Sequence, residues 1–375
     1  MQKISLWNLS NEKIKIRIND EIRKKFFLEA RKNFNNSQEI SNYLEIPLRR
    51  FNRFKSGKSA IPLIFIKKII NKFPQEVKVY FQRKIELNLE EIKFGYNPKA
   101  KPIKNPKFPV KFSKKVAQVA GHIVGDGGMR SSDIDKTVYY ANKNQVLIEQ
   151  FKKDIFNIFG DVDCKKYTHK GTKIVIFPSI IGVILTKFIG MQQNETKHVP
   201  EIILNSNKKI QRVFLKALYD DEGSVSIASN CIVFKMASKH IIEDCHKLLG
   251  KFSIRPGKIK FKDQSQRRRI YYFYLSGKPD LTKFHKYINF YHSNKSKQLD
   301  KLLFNYQKEG FKQGETKGQI FKNIQFNKGI TVKELSRQLG IPTATIRMHT
   351  RRLKNKHLIK SIKPQHEEIF FKAVT

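Results

Sequence analysis

Two acidic residues, Asp126 and Glu222, stand out because each closes an apolar stretch and is followed at once by glycine. The first stretch reads Val116-Ala-Gln-Val-Ala-Gly121-His-Ile-Val-Gly125-Asp126-Gly127-Gly128, and the second Val213-Phe-Leu-Lys-Ala217-Leu-Tyr-Asp-Asp221-Glu222-Gly223. One Asp-Gly or Glu-Gly at a helix end is ordinarily a turn. Here the two acids lie 96 positions apart and the same order of elements follows each. Two carboxylates brought together are hard oxygen donors of the kind that hold divalent cations. Small residues on one stripe of each helix, Gly121 and Gly125 in the first and Ala217 in the second, allow the close helix approach that would bring them together.

The elements that must position this pair can be read from periodicity. After Asp126 comes a strand at Val138 to Ala141, then an amphipathic helix with Leu147, Phe151, Ile155 and Ile158 inward and Gly160 as its end. After Glu222 come strands at Ser224 to Ala228 and Ile232 to Met236, then a helix with Ile241, Cys245 and Leu248 inward, ended by Gly250. Further strands are expected around Asp163 to Tyr167 and Ile174 to Phe177, then Lys258 to Phe261 and Ile270 to Leu275. Each unit is therefore α-β-β-α-β-β-α, an internal repeat in an α+β chain.

The 375 residues carry 75 Lys+Arg against 32 Asp+Glu, a formal charge of +43. That excess selects a polyanion as partner and predicts salt-sensitive binding. With 39% hydrophobic residues, 29 of them Phe, the chain is not a disordered basic tail. Three scattered cysteines, Cys164, Cys231 and Cys245, suggest neither a disulfide framework nor a zinc site and fit a reducing interior. The longest apolar run, Ile180 to Ile189, is too short to span a bilayer and contains Lys187, so the chain reads as soluble and intracellular with no membrane partner.

Two proline- or polar-rich stretches divide the chain, giving residues 1–95, a linker at 96–112, repeat units at 113–205 and 206–304, a second linker at 305–318, and residues 319–375. In the first part, Ile14, Ile16 and Ile18 form a strand pattern and a helix follows from Asp20 to about Lys32. Ser37 to Leu44, the turn at Ile46-Pro47, and the arginine-rich Leu48 to Phe54 resemble a helix-turn-helix that would present Arg49, Arg50 and Arg53 to DNA. In the last part, Thr331-Val-Lys-Glu334 is a capping box, Gly340-Ile-Pro342 a turn, and Thr343 to Asn355 a recognition helix with Arg347, Arg351 and Arg352. Strand-like Leu358 to Ile362 and Glu368 to Lys372 complete a winged helix-turn-helix.

The apolar helix ending in Gly-Asp-Gly resembles the LAGLIDADG motif in its archaeal and intein-borne form, and His198-Val-Pro200-Glu-Ile-Ile before the second copy is similar to that group. The likeness covers about Phe112 to Leu303. It implies a homing endonuclease: a double-stranded DNA cutter, monomeric with internal pseudo-two-fold symmetry, whose two units form a DNA-binding saddle. It implies Mg²⁺, or Mn²⁺, held by Asp126 and Glu222 with the main-chain oxygens of Gly125 and Asp221, and catalysis by Asp126, Glu222 and Lys278. Lys278 follows the last strand of the second unit; Phe177-Pro-Ser179 in the first offers no lysine, so the half-sites are expected to be unequal. Asn142, Lys143, Ser238 and Lys239 match polar positions of the same pocket. Lys235, Lys260, Lys262, Arg267, Arg268 and Arg269 belong to the base-reading face. Asp221 and Lys216, where small residues are usual, imply a looser helix interface. No terminal His-Asn splicing pair is seen, so the chain reads as free-standing, in an archaeal or other prokaryotic nucleoid. Two other readings stand beside it: a non-cleaving regulator resembling the WhiA-like group, and an intron maturase with RNA as its polyanion.

Overall fold

The structure, a computed structural model, describes residues 2–9, 13–95, 100–130, 132, 135–190, 197–265, 268–306, 315–327, 329–362 and 369–372. It resolves into two compact units, residues 1–222 with 238–245, and residues 223–237 with 246–375.

The first unit opens with β1 (Lys3–Ile4) and with β2 (Ile14–Ile18), where isoleucines alternate inward. Helices α1 (Asp20–Lys32), α2 (Ser37–Tyr43) and α3 (Leu48–Lys55) follow, α1 and α2 capped by the side chains of Asn19 and Asn36. Then come β3 (Ile61–Pro62), α4 (Leu63–Ile70), α5 (Gln75–Leu87) and β4 (Leu89–Phe94). Phenylalanines join the helices: Phe27 meets Phe51 edge-on at 5.5 Å and Phe26 meets Phe81 at 5.6 Å. Of the stretch expected to be a linker at 96–112, residues 96–99 lie outside the described residues and the rest is structured. Ile103–Lys104 is β5 and Val110–Lys111 is β6, with Ile103, Phe108, Val110 and Phe112 buried. β6 pairs with β1, and β5 bridges β4 to a strand of the first repeat.

That repeat runs α6 (Lys114–Val124), β7 (Gly127–Met129), β8 (Val138–Asn142), α7 (Gln145–Phe159), β9 (Asp161–Val162), β10 (Lys165–His169), β11 (Thr172–Phe177) and α8 (Ser179–Ile189). Its antiparallel sheet has the order β7-β8-β11-β10, while β9 leaves it to complete the sheet β3-β2-β4-β5-β9. Every residue of α6 from Val116 to Val124 is buried, the polar Gln118 and His122 included. α9 (Glu201–Leu204) and α10 (Lys208–Glu222) close the unit.

β12 (Gly223–Ser226) and β13 (Cys231–Met236) open the second unit, α11 (Lys239–Lys251) is divided between the two units at residue 245, and β14 (Lys260–Ser265), β15 (Arg268–Ser276), α12 (Lys278–Tyr287) and α13 (Ser293–Asn305) follow in the second. The sheet order β12-β13-β15-β14 repeats that of the first sheet, strand for strand. α11 runs through Gly250 and stops only before Ser253, at φ 56°, so Gly250 is not its terminator. Next come α14 (Glu315–Phe326), β16 (Ile330–Thr331), α15 (Val332–Leu339), α16 (Thr343–Asn355), β17 (Ile359–Ile362) and β18 (Ile369–Lys372), a winged helix around Ile320, Ile324, Leu335, Ile346, Leu353 and Phe370. The expected capping box is present: Glu334 N donates to Thr331 Oγ1 at 3.2 Å and Thr331 N to Glu334 Oε2 at 2.9 Å. Of the second expected linker, residues 307–314 lie outside the described residues, and 315–318 already belong to α14.

Candidate metal centre and nucleic-acid interface

The centre is built where α6 lies against α10. A Cβ added to Gly121 would come 2.7 Å from the Phe214 carbonyl and 2.8 Å from the Ala217 Cβ, and one on Gly125 would come 2.7 Å from Asp221 Oδ2. The two helices therefore touch at van der Waals distance, and the looser interface expected from Asp221 and Lys216 is not found. Asp221 is accommodated because its counterpart on the facing helix is glycine. Asp126 follows Gly125 directly and Glu222 follows Asp221 directly, so both acids leave the same contact; Asp126 N lies 3.4 Å from Asp221 Oδ2.

The Asp221 carboxylate is not a site for a cation. Its side chain is 0% exposed and both oxygens are engaged. Oδ1 accepts from the Tyr140 hydroxyl at 2.7 Å and from Asn142 Nδ2 at 3.3 Å, and Oδ2 faces His122 Nδ1 at 3.0 Å. The residue as a whole is nonetheless half-exposed, so it is the main chain of Asp221 that faces solvent. Asn142 Nδ2 also donates to Asp126 Oδ2 at 2.9 Å, which orients that exposed carboxylate.

His122 is wholly buried between the Tyr140 and Phe151 rings, 4.8 and 5.9 Å away. Burial alone would push its pKa down, but the Asp221 charge and hydrogen bond, with help from Asp220 and Asp154, hold it above the ordinary value. Burial, and then the same carboxylate, drives the Tyr140 hydroxyl far up, so it acts only as a donor. Ninety-six positions on, His122 becomes Leu218. Strand register matches Tyr140, opposite Gly127, to Phe234, opposite Gly223, and so Asn142 to Met236. The polar network exists in one half only.

Lys197 is a residue that sequence reasoning missed. Burial lowers its pKa, and the Glu222 carboxylate opposes that shift, which places the half-buried ammonium in the field of Glu222. Its segment is anchored where Ser238 Oγ donates to the Lys197 carbonyl at 2.7 Å and Val199 N to Asp244 Oδ2 at 3.2 Å. The expected signal was there, one residue before the noted His198-Val-Pro200. Ser238 is correspondingly corrected: it is 2% exposed and anchors this segment and α11, so it cannot line a DNA surface.

Lys278 is exposed at the first turn of α12, lining a cavity of about 720 Å³ with Ile227, Thr282, His285 and Asp300. Lys143 and Lys239 are exposed, the latter paired with Glu243 at 3.3 Å. On the second sheet, Lys235 and Lys260 both stand opposite Tyr272 and Lys262 stands opposite Ile270, so these lysines share one face with Tyr272 and Tyr274. Phe234, Phe273 and Leu275 fill the other face. Arg269 is held by Asp263 at 2.9 Å and lies over the Phe261 ring at 4.4 Å. Arg268 lies in β15, and Arg267 falls outside the described residues. On the first sheet, Tyr139, Tyr167 and Lys165 are exposed and had not been anticipated. Arg49, Arg50 and Arg53 on α3 are exposed, as are Arg347, Arg351 and Arg352 on α16. Among the described residues, no group of three or more His, Cys, Asp or Glu side chains forms a metal cluster, and no helix is long and apolar enough to cross a membrane.

Residues 209–289 match the family model described as a LAGLIDADG-like domain, and residues 314–360 the one described as winged helix-turn-helix DNA-binding. The chain is 26% identical over 269 residues to a glutamine–fructose-6-phosphate aminotransferase (isomerizing) of Methanocaldococcus jannaschii, covering 70% of this chain and 23% of that protein. It is 24% identical over 212 residues to the DNA-directed RNA polymerase subunit Rpo1C of the same organism, covering 54% and 24%. The chain thus spans about a quarter of the length of these curated relatives. Among solved structures, variants of the homing endonuclease I-DmoI are 19% identical, covering 47% of this chain and 95% of that one with a TM-score of 0.37.

Proposed function

From a chain that carries a LAGLIDADG-like domain and a winged helix-turn-helix, we propose a divalent-metal-dependent endonuclease that cuts both strands of duplex DNA at a specific site. The observation that carries this reading is the contact of α6 with α10, which delivers Asp126 and Glu222 from one point with Asn142 holding the Asp126 carboxylate. The donor set fits Mg²⁺ or Mn²⁺: two carboxylates, with the main-chain oxygens of Gly125 and Asp221 beside them, are all hard oxygens. A bound cation would supply charge neutralisation at the scissile phosphate and a more acidic water. The chain's own residues do the rest. Asn142 fixes one acid, Lys197 lies in the electrostatic field of the other, and Lys278 is assigned to the phosphate of the second half. The lysine-tyrosine faces and the exposed helix-turn-helix arginines bind the duplex.

The curated relatives add a second support. An aminotransferase and a polymerase subunit share no activity by name, which supports reading the matched segment as one with a role of its own. That is the distribution expected of an element that inserts itself at DNA sites. Two helix-turn-helix modules favour a second reading, a DNA-bound regulator that does not cut. Selection of cleaved molecules from a randomised duplex library with Mg²⁺ separates them: recovery of one cut sequence supports the nuclease, and binding enrichment with no cut ends supports the regulator.

A further inference from the structure

A cavity of about 420 Å³ opens between α3 and the sheet of the N-terminal part, lined by Lys15, Arg17, Arg50, Arg53, Lys58 and Lys93. The one carboxylate among its lining residues, Glu91, is taken by Arg17 at 3.1 Å, and Arg17 also donates to the Gly57 carbonyl at 2.9 Å. Arg53 is steered into place by Ser59 Oγ, 3.0 Å from its Nε. The register then does something costly. Lys15 stands directly opposite Lys93 across the β2–β4 pair, an arrangement of like charges that destabilises a sheet. Burial and the fields of Lys93 and Arg50 depress the Lys15 pKa, as expected where cations crowd one groove.

We propose that this groove is a clamp for the sugar-phosphate backbone of duplex DNA, so that Arg50 and Arg53 position the duplex and do not read bases. One small anion would balance only a fraction of a lining with six cations and one carboxylate, whereas a strand brings a negative charge about every 3.4 Å. The exposed Arg49 and Asn52 of α3 remain for contact outside the clamp. This inference rests on the reading that the chain binds duplex DNA, and it is independent of whether the chain cuts.

The test uses the full chain in a Glu222→Gln background, a labelled duplex, and equilibrium binding over a range of KCl. Arg50→Ala/Lys58→Ala/Lys93→Ala is expected to weaken binding about 10- to 100-fold at low salt and to reduce the slope of log K against log salt by about 2 to 3, roughly 0.9 for each phosphate lost. Arg50→Lys/Lys58→Arg/Lys93→Arg, which keeps the charges, is expected to keep the slope. An unchanged slope in the alanine variant, or equal loss in the charge-keeping variant, would overturn the clamp. So would a structured RNA whose binding falls while duplex binding does not. Absence of duplex binding by the unsubstituted chain would instead sink the parent reading.

Discussion

Asp221→Asn, which keeps the shape of the side chain and removes its charge, is expected to destabilise the first compact unit by an amount that grows on acidification. In the unsubstituted chain the folded pKa of His122 is raised against burial by Asp221, 3.0 Å away. The pair therefore contributes fully below the unfolded imidazole value, about 6.5, and its contribution is lost as pH rises through the higher folded value. In the variant the ring stays buried without its nearest charge partner, so burial prevails and the folded pKa drops below the unfolded one. Stability then falls as pH falls through that window. The two native states differ by up to one proton, so the gap between the proteins changes by up to about 1.4 kcal/mol per pH unit. In mild acid, where the unfolded chain binds a proton that the buried ring of the variant no longer takes up, the gap should reach about 3–5 kcal/mol, the cost of breaking a buried pair. In mild alkali only altered hydrogen bonds remain, about 1 kcal/mol. Trp7, the single tryptophan, lies in the same compact unit as the pair. Guanidinium unfolding followed by its fluorescence, at about pH 5.5 and about pH 8.5, reads the gap directly, and groups common to both chains cancel. A gap that stays constant, or widens toward alkali, would show that His122 is neutral in the native state and refute the argument.

The other predictions bear on the centre. Asp126→Asn and Glu222→Gln should each lower cleavage by at least on the order of 10³ while leaving duplex affinity measured in Ca²⁺ unchanged; joint loss of both would make the acids structural. Asn142→Leu should shift the Mg²⁺ concentration needed for half-maximal cleavage upward by about 10- to 100-fold, because it releases the Asp126 carboxylate, with maximal rate little changed. Lys197→Met should slow cleavage and remove an alkaline limb from its pH profile, and Lys197→Arg should move that limb upward; profiles identical to the unsubstituted chain would remove Lys197 from the reaction. Gly121→Ala forces a methyl to within 2.7 Å of the Phe214 carbonyl, and should cost about 1–3 kcal/mol in thermal unfolding.

The repeat was legible because two independent signals, the acid-glycine ends and the periodicity after them, recur with one spacing. α1, α15 and α16 fall where caps and apolar faces place them, since those are local properties. The strands β5 and β6 were invisible because two-residue strands amid lysines and prolines carry no period; they exist only through β4, β9 and β1, which lie up to about a hundred positions away. Asp221 shows the same limit in chemistry. As text it is a second acid beside Glu222, and only the fold closes it in with His122, Tyr140 and Asn142. Ser238 and Lys197 likewise take their roles from a contact across 41 positions.

The glycine-for-aspartate exchange at the helix contact makes the two halves a lock and key. A first half paired with its own copy would set Gly125 against Gly125 and leave a void, with His122 stranded in both copies. A second half paired with its own copy would press two buried Asp221 carboxylates together, with Leu218 where a cation is needed. Neither half is therefore self-complementary at this contact, and a substitution on one helix face meets a different neighbour from its counterpart on the other.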